Sequence, residues 1–299
     1  MRLQPIDVHI PDLPSNTPPY ASRKTPKNLP RLHWLAAVIG SRNSGKTTAA
    51  LKFLKAYILT KSYDRIIWFS PTASREEKIK DFVKFAEKHN VPMEIHDEYS
   101  DALFNEKVEW MRAQIDEYKR YEKKLQVWER FVKCGSTDEL SLSDLIDLEA
   151  MGWEKPHTEY KHGYPSFFIG IDDNAGRKDV FNPACKGPMA NFAILHRHLS
   201  CSVMFLMQIV ANGLARQLRS NISFWALFPT KSATLKKAVA EEIAFKVEPD
   251  TLIKAWDLAT KDSPHDFLYC DYDSPTIEGM FRKNFDKAIV FDDPPNVAT

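Results

Sequence analysis

Residues 35–47 read Leu-Ala-Ala-Val-Ile-Gly-Ser-Arg-Asn-Ser-Gly-Lys-Thr, an apolar run that breaks into a glycine-bounded loop. Leu35 to Ile39 shows no polar alternation, which is the pattern of a strand covered on both faces of a parallel sheet. Gly40 to Thr47 fits G-x-x-x-x-G-K-[ST] without mismatch, and a helical pattern follows from Lys46 to Leu59. Strand, loop and helix in that order are the context in which this pattern carries a mechanism. Gly40 and Gly45 permit a tight turn, so the backbone N–H groups of Ser41, Arg42, Asn43, Ser44, Gly45, Lys46, Thr47 and Thr48 can face one concavity. The positive end of the following helix adds to that field. The Lys46 amine then reaches the β- and γ-phosphates, and the Thr47 hydroxyl is a ligand for Mg²⁺. A nucleoside triphosphate with Mg²⁺ is the expected occupant.

Working outward, further strands are predicted at Arg65–Phe69, Phe167–Ile171, 202–207, 223–228 and 267–271, with a short one at Met93–His96. Helical patterns cover 74–89, 234–245 and 251–260. Strands separated by helical stretches make the fold α/β, a P-loop NTPase sheet. Between the second strand and Phe167 lies a charged helical insertion at about 100–165. In it Val108, Met111, Ile115, Tyr118, Leu125 and Val132 keep a 3–4 spacing along one helix, Asn105–Lys133, and a short helix is predicted at 143–151. The first thirty residues hold seven of the nineteen prolines and form an extended arm. Its second half is basic (Arg23, Lys24, Lys27), and it reads either as a flexible leader or as an arm that docks. Residues 31–299 are read as one domain, with no internal repeat.

Composition narrows the function classes. With 41 Lys+Arg against 40 Asp+Glu, the formal charge of +1 excludes a protein that coats nucleic acid by bulk basicity. A hydrophobic content of 43% excludes a mostly disordered chain. Cys134, Cys185, Cys201 and Cys270 stand far apart, which points to a reducing compartment rather than a disulfide framework or zinc knuckle. The N-terminus lacks a signal-peptide core, and the longest apolar stretch, 202–210, is far short of a spanning helix. A soluble intracellular protein is expected.

A phosphate loop needs a carboxylate at the end of another buried strand, and the run FFIGIDD supplies it. Asp172 is placed to hold Mg²⁺ through water and Asp173 to polarise an attacking water; the plainer reading of the pair is a loop cap. Gln208 ends an apolar strand, either as a solvated end or as an amide aimed at the γ-phosphate. Arg216 and Arg219 lie in the stretch ANGLARQLRSN; each alone reads as a surface residue, though an arginine offered to a neighbouring subunit would stabilise transition-state charge. His196 and His198 point opposite ways on a helix and have no further ligands at metal spacing, so they are assigned to structure.

Taken as an ordered set, GSRNSGKT, the DD of FFIGIDD, the RH before SVMFLMQ, Gln208 and the later LRSN resemble the genome-packaging ATPases of poxviruses and giant viruses, a branch of the FtsK–HerA superfamily. The resemblance runs from about Leu35 to Phe228. It implies a RecA-like sheet of the additional-strand class, with an extra strand between those bearing the two phosphate-site motifs. It also implies a homo-oligomeric, hexameric ring that hydrolyses ATP to translocate double-stranded DNA into a capsid. A capsid vertex protein would be its partner, at a viral assembly site in the host cytoplasm or on the virion. On this resemblance Lys46, Asp173, Gln208 and Arg219 are catalytic, with Asp173 in place of the superfamily's usual glutamate, and Thr47 and Asp172 serve the metal. The alternatives from other classes are a P-loop nucleoside or nucleotide phosphotransferase and a non-hydrolysing ATP-binding scaffold.

Overall fold

A computed structural model describes residues 23–172, 187–208, 214, 216–244, 247–274 and 276–291. Nine strands form one sheet: β1 Leu35–Ile39, β2 Arg65–Phe69, β3 Met93–His96, β4 Phe167–Asp172, β5 Cys201–Met207, β6 Phe224–Leu227, β7 Leu268–Asp271, β8 Phe281–Lys283 and β9 Lys287–Ala288. Their spatial order is β3-β2-β4-β5-β1-β6-β7-β8-β9, so β5 lies between the strand leading into the phosphate loop and the strand ending in Asp172. The six strands from β3 to β6 are parallel, and β7, β8 and β9 continue the sheet antiparallel. The FFIGI, SVMFLM and LAAVI runs are adjacent central strands, which is why none of them alternates: every residue of β1, β4 and β5 is buried.

The helices are α1 Lys46–Leu59, α2 Glu77–Lys88, α3 Asp101–Cys134, α4 Leu142–Ala150, α5 Pro188–Leu195, α6 Arg216–Arg219, α7 Ala233–Ile243, α8 Pro249–Thr260 and α9 Ile277–Met280. Successive β1 residues divide them into two layers. Leu35, Ala37 and Ile39 face the core formed with α3, α5, α7 and α8, whereas Ala36 and Val38 face α1 and α2. Below the phosphate loop, Trp34 meets Phe53, Tyr57, Phe168 and Phe224 at centroid distances of 5.0–5.8 Å, which fixes α1 against the sheet.

Gly170 is the one small residue of β4, and the register explains it. It pairs opposite Trp68 of β2, and a Cβ at Gly170 would stand 2.3 Å from Trp68 Cε3. Glycine is required there by the indole, which is fully buried.

The charged insertion is a 34-residue helix, longer than its apolar pattern indicates, and spans about 50 Å at 1.5 Å per residue. Ser100 caps its start by accepting from the Leu103 N–H, and Gly135 ends it with φ 68°. Phe104, Val108, Met111, Ile115 and Tyr118 bury its first half against the sheet. The stripe does not continue through Val132 as predicted: Val127 is the buried residue of the second half, and Val132 is 61% exposed. Tyr121 still packs on that core, and farther along the helix meets α4 through the Arg130–Asp144 ion pair.

Among the described residues of the arm, Arg23 is the first. Its guanidinium donates to the carbonyls of Tyr164 (2.7 Å), Lys61 and Gly163 (3.2 Å each) and is paired with Asp64. Ser62 Oγ donates to Lys24 O and Tyr57 OH to Pro30 O, so residues 23–30 lie on their own domain. Residues 1–22 lie outside the described residues.

Candidate functional site

The phosphate loop hangs between two strands that it does not belong to. Gly40 N–H donates to Met207 O of β5 (3.1 Å), and Phe228 N–H donates to Ile39 O (2.8 Å). Gly40 must be glycine here, since a Cβ would lie 2.7 Å from Phe228 Cβ and 2.6 Å from Ser44 Oγ. The loop turns with Ser44 N–H on Ser41 O (3.3 Å), and Asn43 (φ 63°) and Gly45 (φ 101°) take left-handed conformations. Alternation of handedness of this kind is what turns successive N–H groups toward one point. Ser44 Oγ is buried at the root of the loop with no partner among the described residues.

Lys46 is 6% exposed, and its ammonium donates to Ser41 O at 2.9 Å, which lays the side chain back over the loop. Thr47, one residue on, donates its hydroxyl to Asp172 Oδ2 at 2.8 Å. These residues stand 125 positions apart in sequence, and the order β4-β5-β1 brings them together across one intervening strand. Asp172 is 2% exposed and ends β4 in register with Leu206. A buried carboxylate beside a hydroxyl is a set of hard oxygen donors, which fits Mg²⁺ shared with phosphate oxygens and water. Among the described residues there is no group of three or more His, Cys, Asp or Glu arranged for a metal.

Asp173 lies outside the described residues, as does the side chain of Arg216. Gln208 stands exposed at the end of β5 and, with Gly40 to Ser44, lines a cavity of about 620 Å³. The opposite wall of that cavity is largely apolar, including Phe228, Pro229, Leu235 and Trp256. Arg219 is engaged within its own chain: Nη1 pairs with Glu242 of α7 at 2.6 Å. Reaching a neighbour's phosphate requires it to leave that partner.

His196 is buried, and its Nδ1 bonds Cys201 O at 2.8 Å, which pins the turn entering β5. Burial, with smaller pushes from Arg197 and His198, holds its pKa down at about 4. It is a structural histidine, as its spacing suggested. The histidine that touches the site is one the sequence reading passed over. His265, on the loop between α8 and β7, places Nδ1 3.0 Å from Ser44 O. It belongs to no motif and lies 221 positions from its partner, so no local signal marks it.

No protein-family model matches the chain, and no curated protein does. Among solved structures, it is similar to B204, the DNA-packaging ATPase from Sulfolobus turreted icosahedral virus, at 13% identity and a TM-score of 0.47, covering 84% of this chain and 96% of that one. The B204 packaging NTPase of Sulfolobus turreted icosahedral virus 2 in complex with ATP-gammaS is similar at 12% identity and 0.44, over 84% and 96%. The cytoplasmic domain of the Thermomonospora curvata type VII secretion ATPase EccC matches at 16% identity and 0.42, over 81% of this chain and 24% of that one. No helix among the described residues is long and apolar enough to cross a membrane.

Proposed function

We propose that this chain binds ATP on residues 40–48 and hydrolyses it as the motor of a hexameric ring that moves double-stranded DNA into a capsid. The observation that carries the ATPase reading is the 2.8 Å contact between Thr47 and Asp172, which joins the two motifs at one partly buried point. Thr47 and Asp172 would hold Mg²⁺, which supplies charge neutralisation on the phosphate oxygens when bound. Lys46, already laid over the loop, swings from Ser41 O onto the β- and γ-phosphates. The loop's N–H groups hold those phosphates by charge-assisted bonds. Asp173, next after the metal-side carboxylate, takes a proton from the attacking water, and Gln208 at the neighbouring strand end orients it. Arg219 serves a neighbour's phosphate only once released by Glu242. The capsid and DNA assignments rest on the ordered motif set. A net charge of +1 suits a motor that must release its track at every step.

The test is Mg²⁺-dependent release of phosphate from ATP, with and without double-stranded DNA, across a salt series. Stimulation by DNA that fades with salt is expected, because phosphate contacts release counterions. A DNA-independent rate in the assembled ring would refute translocation, and phosphate appearing on an added nucleoside would mark a phosphotransferase.

A further inference from the structure

We infer that His265 is a positioning residue of the nucleotide site, holding the Ser44–Gly45 peptide so that its N–H faces the phosphates. The inference rests on the ATP-binding reading above.

The geometry begins with the planarity of the peptide. In a trans peptide the C=O and the next N–H point in opposite directions, so whatever fixes Ser44 O also aims the Gly45 N–H. His265 Nδ1 stands 3.0 Å from Ser44 O. A carbonyl oxygen only accepts, so Nδ1 carries the proton and donates. The pair draws the Ser44 carbonyl outward, away from the concavity, and turns the Gly45 N–H inward.

Such a clamp is needed at this peptide more than at its neighbours. Gly45 sits at φ 101°, and without a Cβ its backbone can rotate between states that other residues find closed. Its own carbonyl is already held, accepting from Ala49 N–H at 2.9 Å as the first bond of α1. The peptide before it belongs to neither the helix nor a strand, and the imidazole is the partner that the structure gives it. The imidazole stands beside that backbone, since a Cβ at Gly45 would lie 3.4 Å from His265 Nδ1.

The histidine is held in place from behind. Its own N–H donates to Ser263 Oγ (3.2 Å), and Asp266 N–H donates to Ser263 O (3.2 Å), closing a tight turn. Asp266 is paired with Lys283 of β8 at 2.8 Å and accepts from Asn284 Nδ2 at 3.0 Å. Phe267 and Asn284 exchange two bonds that fasten the loop to the sheet. The clamp therefore runs from the antiparallel end of the sheet to the loop, and not from either nucleotide motif.

An N–H aimed at a phosphate serves ground state and transition state alike, so its loss raises KM and leaves kcat nearly unchanged. The test is steady-state ATP turnover by the full chain carrying His265→Ala, His265→Asn or His265→Gln, with melting temperature followed in parallel. His265→Ala is expected to raise KM for ATP about fivefold, the order of one hydrogen bond. The Asn amide can replace Nδ1 and is expected to restore most of the affinity. The Gln amide reaches the position of Nε2 instead and is not. An unchanged KM in His265→Ala, a fall confined to kcat, or an Asn variant no better than Ala overturns the inference. So does unfolding of both the Ala and Asn variants, which would make His265 a residue of the fold. If the unaltered chain neither binds nor turns over ATP, the ATPase reading fails instead, and the two failures are distinct.

Discussion

Replacing Arg23 by alanine tests how the structure holds its N-terminal segment, and its cost can be worked out from the partners. Arg23 is 0% exposed in its side chain and Asp64 is 15% exposed. Besides the ion pair, the guanidinium serves three carbonyls, those of Tyr164, Lys61 and Gly163. Asp64 Oδ2 also accepts from Ser166 N–H at 2.9 Å, but that bond cannot neutralise it. Removing one partner of a buried pair costs about 3–5 kcal/mol, most of it the stranded charge. Desolvation already pushes the Asp64 pKa up, and Arg23 is the chief influence pulling it back. Without Arg23 it rises further. A raised carboxylate binds more protons folded than unfolded, so stability falls as pH rises from the ordinary 3.8 through the folded pKa. The penalty of R23A is therefore greatest at neutral pH and shrinks toward acid, where Asp64 is neutral in both states. What persists in acid is the loss at the three carbonyls, of which that to Tyr164 O is the buried bond, about 1–3 kcal/mol. Urea denaturation of the parent and R23A at several pH values between 4 and 8 measures both parts. A penalty below about 1 kcal/mol at pH 7, or one that does not change with pH, refutes the reasoning. R23K keeps the charge but loses the fork and is expected to fall between.

Three further outcomes are expected. Gly170→Ala drives a methyl into the Trp68 ring and should destabilise by about 1–3 kcal/mol or more by overpacking, with partial recovery when Trp68→Leu is added, read from thermal melts. Thr47→Val should cut Mg²⁺-dependent nucleotide binding about tenfold or more while Thr47→Ser retains it, measured by titration calorimetry with and without the metal. His196 stays neutral when folded down to about 4, whereas unfolded it protonates near 6.5. Its contribution is thus complete above pH 6.5 and is lost as pH falls toward 4, by about 3 kcal/mol in all. His196→Asn, which keeps a donor for Cys201 O but cannot ionise, should flatten that part of a stability–pH curve.

The parts of the fold that a reader could take from the sequence are those encoded within a few residues. LAAVI, RIIWF and FFIGID are uninterrupted because their strands are buried on both faces, and each begins where its pattern begins. The turn from Gly40 to Thr47 is signalled by its two glycines, although Asn43 also takes a left-handed conformation there. α5 was missed because Pro188–Leu195 is apolar on nearly all sides and offers no stripe to detect. β8 and β9 are too short to show a period. The Leu125–Val132 spacing misled because helical periodicity reports a face and not whether that face is covered, and Val132 is exposed. At the candidate site, the meeting of Thr47 with Asp172 is the part that the two motifs make legible. The hold of Glu242 on Arg219 and of His265 on the loop belongs to tertiary proximity, which no local pattern encodes.

The position of β1 has a consequence for how the chain comes into being. Its two neighbours are β5 and β6, and Leu35 finds its partner only at Val203. At about 5–20 residues per second on the ribosome, the most apolar segment of the N-terminal third emerges about 8 seconds or more before either edge of it can be paired. During that interval LAAVI is an open template for other chains, and the nucleotide loop that depends on it has no root. Long-range parallel pairing is also slow to form. Production of this protein is therefore expected to depend on what shelters that strand during synthesis, and refolding from denaturant should improve on dilution of the chain.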